Sequence, residues 1–237
     1  MPDHRLQNFP FLSQEEFAEG CVRLEKKLKG AVGFGDVGLS HEGGVVCGLV
    51  VRREVLGGIC AGGDGVGVGG DEDGDSEGKV QSEEEAEDDE SLPKARSKST
   101  WKVEYHLHLS RTYQLPILYF NLYPPSQSFS SSTAPATLTQ VYEILTTATS
   151  RDTLRSVGVQ GAISQTDHPT LGVPYYFVHP CGTAAAMGEW RRLGESGGVD
   201  AHEDFDAEKY LAVWVGVVGG VVGFFLPSGC YGILREV

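Results

Sequence analysis

The sequence predicts an α+β domain, in which one helix is followed by a small antiparallel sheet and then by further helices. Three observations carry that reading. A capped amphipathic stretch opens at Ser13, two strand-like runs at 101–109 and 116–123 are joined by a short turn, and an uncharged run at 211–226 follows a charged, helix-prone start.

Ser13-Gln14-Glu15-Glu16 is a capping box behind the apolar pair Phe11–Leu12. Phe17, Cys21, Leu24 and Leu28 then recur on one helical face, and Gly30 is a natural stop. Val45 to Val51 is rich in β-branched residues and reads as a strand. Trp101, Val103, Tyr105, Leu107 and Leu109 alternate with polar residues, Ser110 to Gln114 makes a turn, and Pro116 to Tyr123 returns as the second strand of a hairpin. Pro124 to Pro135 is a Ser/Pro loop, after which Thr137 and Gln140 cap a short helix through Val141, Ile144 and Leu145. Val157 to Ser164 is a weaker strand. Val173 to Val178 is an apolar run entering His179-Pro180-Cys181, and Ala184 to Leu193 is helix-prone. Gly194 to Gly198 reads as a loop, and Glu203 begins the last helix.

Between the strand at 45 and the strand at 101 the character changes. Residues 57–70 are mostly glycine, 71–90 hold twelve acids against the single base Lys79, and 91–100 are basic and contain Pro and Ser. No apolar face can be drawn through 57–100, so burial cannot offset the entropy of ordering it. The expectation is one domain over 1–237, interrupted by a disordered acidic insert at 57–100. Most of the formal charge of −14 belongs to that insert. The balance still excludes a nucleic-acid binder and a polybasic membrane-surface protein.

Five scattered cysteines (Cys21, Cys47, Cys60, Cys181, Cys230) form no CxxC pair, which argues against a disulfide framework and a zinc site. No apolar run follows a basic start, so no signal peptide is expected and the cytoplasm is the default compartment. Leu211 to Leu226 contains Gly219-x-x-x-Gly223 but is shorter than the roughly 20 residues a membrane span needs. It is expected to be a buried helix broken near Gly219–Gly220, with no membrane span.

The functional question turns on Cys181. Pro180 fixes its own φ and removes a backbone donor, so the strand cannot continue as an ordinary central strand. Gly182 permits close backbone approach. Cys181 is therefore expected at a strand-to-helix junction, where N–H groups of the helix starting at Thr183 favour thiolate. His179 is placed to orient the loop or assist proton transfer. On the residues alone, a buried structural cysteine at a turn is the open alternative.

The run Asp167-His168-Pro169-Thr170-Leu171-Gly172-Val173-Pro174-Tyr175-Tyr176-Phe177-Val178-His179-Pro180-Cys181-Gly182-Thr183, with Met187 after it, resembles the active-site segment of the autophagy-related protein ten family of ubiquitin-like-conjugating enzymes. Phe11 to Leu28, Tyr105 to Phe120 and Tyr210 to Pro227 resemble the same family in the same order. The resemblance implies a ubiquitin-conjugating-enzyme-like fold. It also implies a transferase in which Cys181 takes a modifier (autophagy-related protein twelve) from an activating enzyme (autophagy-related protein seven). The acceptor it implies is a lysine of autophagy-related protein five, with no metal or diffusible cofactor. The expected location is cytoplasmic, reaching pre-autophagosomal membranes through partners. His179, Pro180 and Thr183 would shape the cysteine loop. Conventional conjugating enzymes keep an asparagine near the cysteine, but here only Asn8 and Asn121 exist. Ser164, Gln165, Tyr105 and Tyr113 are the candidates for oxyanion or lysine-positioning groups in its place.

Other readings remain at this level. The sister family, autophagy-related protein three, shares His-Pro-Cys and uses a lipid acceptor. A thiol hydrolase would pair Cys181 with His168 or His179. A binding module without chemistry would dock partners through a sheet edge. Gly194-Glu195-Ser196-Gly197-Gly198 lacks the strand a serine-nucleophile elbow requires. His106 and His108 share one side of a strand and read as surface histidines, not metal ligands.

Overall fold

The structure is a computed structural model and describes residues 6–57, 99–125, 134–146, 163–196 and 205–231. Six strands form one antiparallel sheet: β1 (Asp36–Glu42), β2 (Val45–Gly57), β3 (Ser99–Leu109), β4 (Pro116–Tyr123), β5 (Ile163–Asp167) and β6 (Pro174–Val178). Their order across the sheet is β1-β2-β3-β4-β6-β5. The longer helices are α1 (Gln14–Lys29), α2 (Leu138–Leu145), α3 (Thr183–Ser196) and α4 (Ala207–Val218).

Alternation along the strands makes two unlike faces. Leu49, Val51, Val103, Tyr105, Leu107, Leu118, Phe120, Leu122, Tyr176 and Val178 point to the helices and share one core with Phe17, Leu24, Tyr210 and Trp214. On the other face Ile117, Tyr119 and Tyr175 make a small separate cluster, joined by Phe177. That second face also carries Glu104, His106 and His108, all buried.

α1 begins as its sequence dictates. The Ser13 hydroxyl accepts from the Glu16 N–H, and the Glu16 carboxylate accepts from the Ser13 N–H. Its Gly20 lies against α4, where a Cβ would come within 2.8 Å of the Ala207 carbonyl oxygen. The α2 capping box forms in the same way on Thr137 and Gln140. α4 is capped by Asp206, whose carboxylate accepts from the Lys209 N–H and pairs with Arg23 of α1 at 2.9 Å. The apolar run breaks where its glycines predicted: α4 ends at Val218, a 3-10 turn covers Gly219–Val222, and Gly223 turns with φ 68°. Among the described residues no helix is long and apolar enough to cross a membrane.

Several boundaries differ from expectation. β2 continues through Gly57 and pairs with β3 from Ser99, so Gly57, Ser99 and Thr100 are strand residues rather than insert. Residues 58–98, the rest of that insert, lie outside the described residues, as do 147–162, which hold most of the strand expected at 157–164. The described strand there is β5, from Ile163. α3 carries on through Ser196, so the backbone at 194–196 is helical and not loop. β1 was not anticipated. Glu42 and Val45 face each other across Gly43 and Gly44, whose φ values are 59° and 83°, the conformation a two-residue hairpin loop requires.

Candidate active site

Cys181 sits at the exposed corner of a four-residue turn. The Thr183 N–H donates to the Pro180 carbonyl at 3.0 Å, closing Pro180-Cys181-Gly182-Thr183 as a β-turn. Gly182 has φ 96°, in the region a type II turn demands at its third position. A Cβ on Gly182 would meet nothing within 4 Å. The glycine is therefore needed for its backbone angle, not for the close approach expected from the sequence. Pro180 and Thr183 on either side are buried, while Cys181 and Gly182 are exposed. Met187, one turn into α3, is fully buried and anchors the helix behind the turn.

His179 holds the turn from the other side. Its Nδ1 accepts the Cys181 N–H at 3.1 Å. That bond places the proton of the neutral ring on Nε2. The ring also packs near Phe177, with centroids 5.9 Å apart. The first helical N–H is not left for the sulfur as expected, because Thr183 uses it on Pro180. Cys21 and Cys230 are buried and Cys47 is half-buried, so Cys181 is the one exposed free cysteine among the described residues. Burial pushes the Cys21 thiol far up.

The four polar candidates separate. Tyr105 is fully buried, stacked on Phe224 at 4.6 Å, and its hydroxyl donates to the Val222 carbonyl at 2.7 Å. It is a core residue, because the inward phase of β3 carries it to the helical side. Ser164 and Gln165 pair with Phe177 and Tyr176 of β6. Four and five residues of chain therefore separate those ladder positions from Cys181, roughly 10 Å or more along the strand. Tyr113 is 53% exposed in the β3–β4 turn. The β4–β6 register pairs Tyr119 with Phe177. Continued, it runs the start of β4 toward Pro180 and brings that turn to the same end of the sheet as Cys181.

A second polar centre lies under the other face, and two of its three histidines, His106 and His108, are the ones expected at the surface. His106, His108 and His168 are buried and each offers a ring nitrogen within 4.8 Å of the others. That spacing invites a three-histidine metal reading. The hydrogen bonds argue against it. Backbone N–H groups of Thr170 and Leu171 both donate to His168 Nδ1 at 3.2 Å, which leaves the ring proton on Nε2, the atom that would face the ion. That Nε2 is 2.9 Å from His106 Nδ1 and donates to it. Beyond His106 lies Glu104, held by Arg52 at 2.7 Å and by the Tyr175 hydroxyl at 2.9 Å. Burial acts to raise the Glu104 pKa, but the His106 ring, Tyr175 and Arg52 together outweigh it and hold it at about 2. Burial, with the neighbouring rings, pulls His108 down to about 4 and His168 to about 3. A cleft of about 850 Å³ opens beside this centre, lined by Arg52, Glu104, His106, Asn121 and Leu171. Cys181 is not on its wall.

Comparison with known proteins shows which family the chain belongs to. Residues 8–229 match the family described as autophagocytosis associated protein, active-site domain. A relative named ubiquitin-like-conjugating enzyme ATG10 from Gibberella zeae is 28% identical over 245 residues, covering 94% of this chain and 97% of that protein. The human protein of the same name is 31% identical over 140 residues, 59% of this chain and 57% of its own length. That of Arabidopsis thaliana is 28% identical over 124 residues, 52% of this chain and 50% of its own length. A crystal structure of the autophagic E2 Atg10 superposes with a TM-score of 0.47 at 16% identity, over 88% of this chain and 94% of that one.

Proposed function

Since the chain belongs to the family of autophagocytosis-associated proteins built on this active-site domain, we propose that Cys181 carries a ubiquitin-like modifier as a thioester and passes it to a lysine of an acceptor protein. The protein is a ubiquitin-like-conjugating enzyme, a transferase like its named relatives. The observation that carries the assignment of the nucleophile is the exposed sulfur at the corner of a turn whose backbone is fixed on both sides.

The chemistry asks for two acyl transfers. The Cys181 thiolate attacks the carbonyl of the modifier's C-terminal residue, held as a thioester on the activating enzyme. A C–S bond forms, the tetrahedral intermediate collapses, and the activating enzyme's thiolate leaves. One thioester replaces another, so the acyl group stays activated. In the second step a neutral lysine amine attacks the same carbonyl. Cys181 leaves as thiolate, the amine proton passes to water or a base, and an isopeptide remains. An exposed corner suits both steps, because two different proteins must reach one sulfur in succession. The His179 bond keeps the Cys181 N–H from drifting between them. A hydroxyl at the same end of the sheet, that of Tyr113, is the best placed of the candidate donors to the developing oxyanion, a contact worth roughly 3 kcal/mol in other acyl-transfer sites.

The proposed partners follow the resemblance: autophagy-related protein seven as activating enzyme, twelve as modifier and five as acceptor, meeting in the cytoplasm and at pre-autophagosomal membranes. The ATG10 name of the relatives supports a protein acceptor over the lipid acceptor of the sister family. A thiol hydrolase is disfavoured because its two candidate bases are engaged. His179 Nδ1 holds the Cys181 N–H, and both nitrogens of the buried His168 have partners.

Incubating the protein with activating enzyme, modifier and ATP should give a band shifted by one modifier that collapses with reductant and is missing in Cys181→Ala. No adduct on the unmutated protein would overturn the proposal. Full conjugation of the acceptor by Cys181→Ala would favour a binding module instead.

A further inference from the structure

β6 delivers Cys181 to its turn, yet the main chain holds it to the centre of the sheet weakly. β3 pairs with β4 at eight positions, from Lys102 to Leu109. β4 pairs with β6 at two, Tyr119 with Phe177 and Phe120 with Tyr176. β6's other neighbour, β5, pairs among the described residues with nothing else. The β5–β6 hairpin thus hangs on the sheet by one short ladder.

Where the ladder stops, side chains take over. Asn121 Nδ2 donates to the Pro174 carbonyl at 3.1 Å, the Tyr175 hydroxyl donates to Glu104, and the Tyr176 hydroxyl donates to the Ala136 carbonyl at 3.0 Å. His168 does more than any of these. It lies in the β5–β6 loop, where its N–H donates to the Val173 carbonyl and its carbonyl accepts from Gly172. Its Nδ1 gathers the Thr170 and Leu171 amides, and its Nε2 reaches across to His106 on β3. One ring therefore both closes the loop and fastens it to a strand two places away. His106, His108, Tyr119 and Tyr175 surround it, with Glu104 and Arg52 beyond His106.

We infer that His168 is a positioning residue for the transfer reaction: by bonding His106 it ties the β5–β6 loop to β3 and so holds the strand that presents Cys181. The inference rests on the proposed function for its effect on transfer, but not for the tie itself. It requires a neutral ring with the proton on Nε2. A glutamine can copy that arrangement, its amide N–H reaching His106 and its carbonyl facing the loop amides, whereas leucine cannot.

Three measurements on the full chain test it. Nitrogen-15 spectra at neutral pH should show His168 neutral and protonated on Nε2. A charged ring, a proton on Nδ1, or one zinc per chain released by His168→Gln would overturn the inference. Hydrogen exchange at Tyr176 to Val178 should speed up in His168→Leu and stay near the unmutated rate in His168→Gln. Single-turnover thioester formation on Cys181 should fall by about tenfold or more in His168→Leu and be restored in His168→Gln. A leucine variant with unmutated exchange or unmutated transfer overturns the inference, and so does a glutamine variant as slow as leucine. If the leucine variant does not fold, the spectrum and the glutamine variant still decide. If the unmutated protein forms no thioester at all, the proposed function falls while the first two measurements still judge the tie.

Discussion

At the scale of single residues, the turn at Cys181 is set by backbone geometry more than by side-chain chemistry. Gly182→Ala keeps the cysteine and its neighbours but places a Cβ on a left-handed residue. The expected cost is about 1–2 kcal/mol, seen as a lower melting temperature together with slower thioester formation. The residue has open space around it, so a crowding explanation is excluded in advance. Tyr105→Phe makes the opposite kind of test. Removing the hydroxyl leaves the buried Val222 carbonyl without its donor, a loss of about 1–3 kcal/mol in denaturant melts. Thioester formation by the folded fraction should be unchanged, since the hydroxyl faces the core. The sequence marked Cys181 because proline before it and glycine after it forbid a regular element. Its alternation already set Tyr105 on the apolar phase and Tyr113 in the turn, yet residue type alone kept both as candidate donors. Both are hairpin tyrosines, and only the inward phase of β3 distinguishes a core stack from an exposed turn.

At the scale of elements, helix capping and the breaking of the final apolar run were legible because each depends on residues within four positions of one another. The Ser13 and Thr137 boxes and the Gly219–Gly223 break are of that kind. β1 escaped because its run, Asp36 to Glu42, has little apolar alternation. The Gly43–Gly44 pair was the available signal. The buried histidines escaped for another reason. His106 and His108 lie on the polar phase of β3, and burial there comes from a loop more than fifty residues away, which no local pattern records. The contact of α1 with α4 gives a prediction that weighs two opposed effects. Gly20→Ala should gain up to about 1 kcal/mol of helix propensity. The new methyl would meet the Ala207 carbonyl oxygen at 2.8 Å, and overpacking against backbone costs about 1–3 kcal/mol. The second effect should win, giving a lower melting temperature with Cys181 still readily alkylated.

For the whole molecule, acid is the expected weakness. His108 and His168 have folded pKa values of about 4 and about 3, below the unfolded value near 6.5. Between those limits the unfolded chain binds protons that the folded chain refuses. Stability contributed by the two neutral rings is therefore present in full above pH 6.5 and declines as pH falls toward 4. The slope is at most about 1.4 kcal/mol per pH unit for each histidine. Glu104 adds its own loss as pH falls from the ordinary glutamate value of about 4.3 to its folded value of about 2. Thermal melts between pH 7 and pH 4 should show a falling midpoint, and His108→Gln should flatten part of the fall. An unchanged midpoint over that range would show that these rings are not held neutral by the fold.

The long β2–β3 ladder, which brings Gly57 opposite Ser99, has a further consequence. The acidic stretch leaves and re-enters the sheet through a single doorway, about one strand spacing wide. Its length and composition can therefore drift, or be trimmed to a tight hairpin, without any strand having to find a new neighbour. The Cys181 turn, at the opposite end of β3 from that doorway, need not feel such a change.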